Sequence, residues 1–221
     1  FTDAVKNYEV VALEACGDDV VTLSFGIKSS ISGKIENLTF ESGQYVFVNI
    51  PDISPLQSHP FNISGSMYDS STVLHIKSCG QNTWTGQLLE MAKMIKKENE
   101  KAKRTSGKLF QLNRLGIGID GPYGLPFPYA RCTSILLVGG GIGVTPLHSI
   151  LRSLLHLSRT NKGISKESVL RKVKLVWTFR NSKLITENAV FRDTLSLMME
   201  STATSSVQDF PSTPLLNSDA P

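Results

Sequence analysis

Cysteine is scarce in this chain of 221 residues: Cys16, Cys79 and Cys132 are odd in number, widely spaced and form no C-x-x-C. That spacing argues against a disulfide framework or a zinc site and for a reducing compartment. Long apolar runs are missing too. The longest, Ile135 to Val138 ahead of a glycine cluster, falls far below the roughly 20 residues that a spanning helix needs. Nor does one sign of charge dominate, since 23 Lys and Arg against 19 Asp and Glu leave +4. Much of that surplus sits between Lys93 and Lys108, interleaved with Glu and without aromatics. It reads as a solvated helix face and loop, because nucleic-acid binding calls for a basic stripe with stacking rings. The chain opens on Phe1 with no basic segment leading into an apolar one. No signal peptide is read, and Phe1 is expected to lie inside a longer protein.

What is present is an ordinary globular composition, 40% hydrophobic with 17 glycines and 10 prolines, at a length that suits one large domain or one and a half. The first half is built of short runs rich in Val, Ile, Tyr and Phe: Tyr8 to Leu13, Val20 to Phe25, Gln44 to Ile50 and Thr72 to Lys77. Gly, Asp, Ser and Pro clusters separate them, which predicts antiparallel strands in a small barrel or sandwich. Leu88, Leu89, Met91, Ala92 and Ile95 recur at helical spacing behind Thr83 or Thr85 as N-cap. The Lys/Glu segment at about 96–107 has no apolar face and reads as a surface insertion. The second half changes pattern. Ser134 to Val138 predicts a buried parallel strand, Pro146 to Ser158 a helix, Val173 to Phe179 a second strand and Glu187 to Met199 a second helix. Two parallel strands cannot cover both faces of such helices, so apolar surface is expected to stay open at Leu151, Leu155 or Val176. Residues 201–221, rich in Ser, Thr and Pro, are expected to be disordered.

The strongest local signal is Leu137-Val138-Gly139-Gly140-Gly141-Ile142-Gly143-Val144-Thr145-Pro146, between the apolar strand and the amphipathic helix. Glycines let backbone amides approach a pyrophosphate, and the helix N-terminus adds partial positive charge. Thr145 is placed to cap and Pro146 suits a first helical turn. The strict G-x-G-x-x-G spacing is not met. After the second strand stand Arg180, Asn181 and Lys183, where an acidic residue would select NAD. A guanidinium there suits a 2′-phosphate, and an exposed Arg beside a helix end is the equal alternative. Asp120-Gly121-Pro122-Tyr123-Gly124 marks a bend between the halves. His59-Pro60-Phe61-Asn62 could hold a flat heterocycle, or be a turn with a core Phe61. His75 alternates with Val73 and Lys77 against Leu74 and Ile76. Gly80 to Leu88 is a polar loop opening a helix, a second candidate anion site. His148 and His156 receive no role. No Ser-His-Asp order, paired carboxylates or metal-ligand spacing competes, so the chemistry is expected to reside in bound cofactors.

Taken in order, Gly43-Gln44-Tyr45-Val46-Phe47-Val48, His59-Pro60-Phe61, His75-Ile76-Lys77, Trp84-Thr85, Asp120 to Gly124 and Gly139 to Pro146 resemble the flavin dehydrogenase region of the ferric reductase and NADPH oxidase family, within the ferredoxin–NADP reductase-like group. The resemblance implies an antiparallel β-barrel FAD-binding domain over residues 1–130. A partial α/β, Rossmann-like NADP-binding domain with a parallel sheet would follow over 131–200. His59, Pro60, Phe61 and Asn62 would line the flavin ring, with Asn62 at the catalytic position. His75, Ile76 and Lys77 would reach the ribityl chain and pyrophosphate, and Trp84 and Thr85 the FAD phosphate. Gly140, Gly141, Gly143, Thr145 and Pro146 would hold NADPH, with Arg180 on its 2′-phosphate. The implied activity passes hydride from NADPH to FAD and then single electrons to a haem, metal or oxygen acceptor. The haem would lie in a membrane part upstream, placing this piece, itself soluble, on the cytosolic face of a longer integral membrane protein. Two departures stand out. Asn62 replaces the family's Thr or Ser, and the Cys-Gly-Pro segment and C-terminal aromatic residue have no counterpart. A non-catalytic docking module and a soluble flavin reductase remain the alternatives.

Overall fold

A computed structural model describes residues 8–105, 107–129, 132–160, 170 and 172–178. Arg180, the expected helix at 187–199 and the 201–221 tail lie outside the described residues. The first half forms two antiparallel sheets. In one, β2 (Val20–Lys28) is central, flanked by β1 (Tyr8–Cys16) and by both the two-residue β3 (Ile35–Glu36) and β6 (Thr72–Lys77). In the other, β4 (Tyr45–Asn49) lies between β5 (His59–Asn62) and β7 (Gly118–Tyr123). Burial alternates along β4 and β5, while the central β2 is buried over most of its length. Leu23 and Phe25, Val46 and Val48, and Leu74 and Ile76 are buried in one shared core.

The expected barrel is not closed. Among the described residues the sheets are linked by the single bridge Ile63↔Leu74, and no ladder joins β1 or β3 to the second sheet. β3 is too short to continue the wall, and helix α1 (Trp84–Arg104) supplies cover through Leu88, Leu89, Ala92 and Ile95. The 96–104 stretch, read as an insertion, is instead the continuation of α1. A helix nucleated by packing propagates cheaply through Lys, Glu and Ala, and the basic last turn (Lys101, Lys103, Arg104) complements the dipole. Thr105 ends it, its N–H and hydroxyl both donating to the Lys101 carbonyl at 3.1 and 3.0 Å.

Most of the motif at 120–124 is strand β7 rather than a free bend, and the turn falls at Gly124 (φ +93°). Beyond it, β8 (Ser134–Gly140) pairs in parallel with β9 (Lys172–Thr178), and α2 (Thr145–Thr160) packs on one face through Leu147, Ile150 and Leu154. Apolar surface stays open on the strands, at Leu136 (62% exposed), Val138 (64%) and Val176 (38%). Leu151, expected among the open positions, is buried at 4% exposure, on the same side of the helix as Leu147 and Leu154. No described helix is long and apolar enough to cross a membrane.

Candidate functional site

Strand β5 and the start of α1 converge on a group of rings. The Trp84 indole stacks on Phe61 (centroids 5.8 Å apart, planes 27°) and leans on His59 (4.9 Å, 40°). Local chemistry fixes Trp84 here. Thr83 is the N-cap, its hydroxyl accepting from the Gly86 N–H at 3.0 Å and donating to the Gly80 carbonyl at 2.7 Å. The Thr85 hydroxyl accepts from the Cys79 N–H at 3.0 Å. Gly86 is required because a Cβ there would collide with the Gly80 carbonyl. Thr83 is therefore the cap, and Thr85 braces the loop that precedes it. The site's one chemical anomaly is Trp84 Nε1, a buried donor with no hydrogen-bond partner. Leaving such a donor unsatisfied costs about 1–3 kcal/mol, and an acceptor on a bound ligand would remove that cost.

Pro60 and Asn62 are not in this group. β5 alternates, so His59 and Phe61 are half-buried towards Trp84 while Pro60 and Asn62 are exposed. In register they stand opposite Phe47 and Tyr45 on β4. Tyr45 and Phe47 form a second aromatic group with Tyr123, all centroids 5.8–5.9 Å apart. The Tyr123 hydroxyl donates to Asp120 Oδ1 at 2.7 Å, and this hydrogen bond is the first cause of its raised pKa. The sequence pattern did not single out this triad as a group.

His75-Ile76-Lys77 is divided as well. Ile76 is 1% exposed in the core, so its side chain is unavailable to a ligand. Lys77 pairs with Asp19 at 3.2 Å. His75 faces Ser64, whose hydroxyl is 2.5 Å from Nδ1, and His148. Burial foremost, then His148 and Arg152, lowers its pKa to about 3, so the imidazole is neutral.

The glycine loop leaves β8 and enters α2 through a 3-10 turn, Gly141–Val144. Gly139 is packed tightly: a Cβ would lie 2.9 Å from Leu147 Cδ1 and 3.2 Å from Val144 Cα. Gly141 (φ +50°) and Gly143 are different, since a Cβ added to either would meet nothing within 4 Å. Open space over a backbone turn at a helix N-terminus is the cradle that a phosphate-bearing ligand fills. Thr145 already has helical dihedrals (φ −55°, ψ −47°), so it is the first helical residue rather than the expected cap, and Pro146 follows in the first turn. From β9, Trp177 Nε1 donates to the Gly141 carbonyl at 2.9 Å and fixes the loop. The sequence pattern did not assign Trp177 this role.

The two sites thus suit a ligand with ring and phosphate character at β5/α1 and a second phosphate-bearing ligand at β8/α2. Among the described residues no group of His, Cys, Asp and Glu is arranged to hold a metal ion.

Comparison with known proteins agrees. Residues 5–127 match the FAD-binding domain family and residues 132–209 the ferric reductase NAD binding domain. Probable ferric reduction oxidase 1 of Arabidopsis thaliana is 31% identical over 183 residues, 82% of this chain and 23% of that protein. Respiratory burst oxidase homolog protein B of the same plant is 35% identical over 150 residues, 63% of this chain and 17% of that protein. The chain therefore spans about a fifth of the length of these relatives. In structure it is similar to a ferredoxin NADP+ reductase from Neisseria gonorrhoeae with bound FAD and NADP (TM-score 0.56, 14% identity, 90% of this chain and 66% of that one). It is also similar to ferredoxin-NADP+ reductase from Plasmodium falciparum (TM-score 0.58, 12% identity, 89% and 65%). The fold is shared: an antiparallel FAD-binding part followed by a parallel-stranded nucleotide-binding part. The chain belongs to the FAD-binding domain family, continued by a ferric reductase NAD-binding domain, in the group that includes the ferric reduction oxidases and respiratory burst oxidase homologs.

Proposed function

We propose that this chain is the electron-entry portion of a membrane-bound oxidoreductase, holding FAD against residues 1–130 and NADPH against residues 131–200. The observation that carries the reading is the orphaned Trp84 Nε1 inside the His59–Phe61–Trp84 ring group. Cofactors supply the redox chemistry: hydride passes from nicotinamide to flavin, and electrons then leave singly for a haem, metal or oxygen acceptor. The protein's part is to bind and orient. Trp84 offers a donor and a stacking face, His59 and Phe61 form the remaining wall, and the α1 N-terminus with Thr83 and Thr85 favours phosphate. Gly140, Gly141 and Gly143 leave backbone amides accessible, and Thr145 and Pro146 start the helix whose dipole favours a pyrophosphate. Asn62, exposed beside Tyr45, is assigned the hydrogen-bonding position at the reacting edge of the flavin, and Arg180 the 2′-phosphate. His75 and Lys77 are assigned to the FAD chain, Ile76 through its backbone alone, and Pro60 to the rim. The acceptor is a haem-bearing membrane segment of the same polypeptide, with this part on the cytosolic side. Ferric reduction oxidases and respiratory burst oxidases among the relatives support that assignment.

Reconstitution tests it directly. The purified chain should take up FAD with a yellow spectrum, and NADPH should bleach it without oxygen. A chain that stays colourless refutes the reading. Uptake without bleaching supports instead a non-catalytic docking module.

A further inference from the structure

Helix α2 carries a second stripe that the sheet does not use. His148, Ser149, Arg152, Ser153 and His156 follow at i, i+1, i+4, i+5 and i+8, one face of the helix opposite Leu147, Ile150, Leu151 and Leu154. This stripe meets the segment that follows β5. His148 Nδ1 donates to the Ser64 carbonyl and the Ser149 hydroxyl to the Gly65 carbonyl, both at 2.7 Å. Arg152 pairs with Asp69 at 2.6 Å. The Ser153 hydroxyl lies 2.7 Å from that of Ser42 and 3.0 Å from that of Ser66, and His156 stacks on Tyr68 at 4.0 Å.

We propose that this joint is the ruler between the two cofactor sites, with Ser149 and Arg152 as positioning residues for hydride transfer. The inference rests on the functional reading above.

Connectivity places the joint close to both sites. Ser64 lies two residues past Asn62, and His148 three residues past Thr145. Any shift of α2 along the 64–69 segment moves the glycine loop relative to β5 by a similar amount. Hydrogen bonds and one ion pair make up most of this joint: the buried hydrophobic clusters of the two halves share no member, and the apolar contact between the halves is made by the partly buried Phe127 and Tyr129 on the second cluster. Hydrogen bonds have a narrow optimum distance and direction, whereas apolar surfaces slide. The groups are buried, Ser149 and Ser64 at 0% exposure and His148 at 2%, so a lost partner is not replaced by bulk water. Beside the joint, a cavity of about 310 Å³ lined by Ser24, Ser70, His75, His148 and Arg152 leaves room for the helix to settle elsewhere once a bond is lost. Hydride transfer needs atoms about 3–3.5 Å apart, and a displacement of about 1 Å costs on the order of a hundredfold.

The test uses the full chain with Ser149→Ala, Arg152→Ala and Arg152→Lys. The two alanine variants should bind FAD and NADPH within about threefold of the wild type. Their anaerobic flavin reduction should be slower by roughly tenfold to a hundredfold, and Arg152→Lys should recover most of that rate. Spin labels at Glu36→Cys and Ser158→Cys, with Cys79 and Cys132 replaced by serine, report the joint without any cofactor. Their distance distribution should be narrow in the parent and broad in the alanine variants. An unchanged distribution, or a rate that falls only in step with nucleotide affinity, overturns the proposal. If the parent binds both cofactors yet never bleaches, the functional reading fails, and the label distances still decide whether the joint fixes the two halves. Should Ser149→Ala unfold, the half-buried Arg152 pair of variants carries the comparison.

Discussion

Replacing Trp84 with phenylalanine separates a structural role from a ligand-binding one. Trp84 is 5% exposed, and its Nε1 has no partner. Phenylalanine keeps the stack with Phe61 and His59 but gives up roughly 40 Å² of buried apolar area, about 1 kcal/mol at 25 cal/mol per Å². It also removes an unsatisfied buried donor, returning about 1–3 kcal/mol. The two terms oppose each other. The FAD-free Trp84→Phe chain should therefore be between equal to the wild type and about 2 kcal/mol more stable in urea, far from the 3–5 kcal/mol loss of a Trp→Ala truncation. FAD binding should respond in the other direction. A hydrogen bond to a charged acceptor is worth about 1.5–3 kcal/mol, so its loss should weaken binding by about tenfold to a hundredfold, read from quenching of flavin fluorescence. A loss of more than about 2 kcal/mol in the FAD-free chain would mean that the indole N–H already had a protein partner. Unchanged FAD affinity would remove Trp84 from the site, and with it the main support for a flavin there.

Three further outcomes follow from the same geometry. Gly143→Ala should leave stability unchanged, because nothing lies within 4 Å of its Cβ, yet weaken NADPH binding in a titration. Gly141→Ala should weaken NADPH binding and also lower stability, since φ +50° costs an L-residue about 1–2 kcal/mol. His75, held at about 3 chiefly by burial, stays neutral in the folded chain while the unfolded chain takes up a proton below its ordinary 6.5. Its contribution to stability is thus lost as pH falls from about 6.5 towards 3, by up to about 1.4 kcal/mol per pH unit. Relative to His75→Gln, the wild type should show the steeper decline in urea midpoint between pH 7 and pH 5, and parallel declines would refute the assignment. Leu137→Ala (3% exposed) should cost about 2–5 kcal/mol in chemical denaturation, and Leu136→Ala (62% exposed) less than about 0.5 kcal/mol.

How far the fold could be read in advance depended on how local its causes were. Thr72 to Lys77 emerged with the expected bounds because alternation, β-branched residues and flanking turns all act within six residues. The order of motifs placed the glycine loop between β8 and α2 for the same reason. Barrel closure was not legible, since it depends on which strand edges meet across the molecule, and a β3 of two residues leaves that wall open. The end of α1 was misjudged because a solvated helical extension and a surface loop share a polar composition. At the site, Trp84, expected towards a phosphate, instead joins His59 and Phe61 in one ring group. Pro60 and Asn62 separated from them, as period-2 alternation already required of any four consecutive strand residues.

Helix α2 shows why its polar stripe escaped notice and how such stripes can be found. Hydrophobic patterning separates apolar from polar positions, and by that measure the joint of α2 and the solvated face of α1 look alike. Their side chains differ in kind. The open face of α1 carries Lys93, Lys96, Lys97, Lys101 and Lys103, long chains whose rotamer entropy is kept only in water. The stripe on α2 carries His148, Ser149, Ser153 and His156, short or rigid groups that lose little entropy on burial, with Arg152 as the one long member and Asp69 waiting for it. A helix face that is polar but nearly free of Lys and Glu is therefore better read as a buried hydrogen-bonding surface than as a solvent face. In this chain that surface begins three residues after the nucleotide loop, where a displacement of the helix would be felt first.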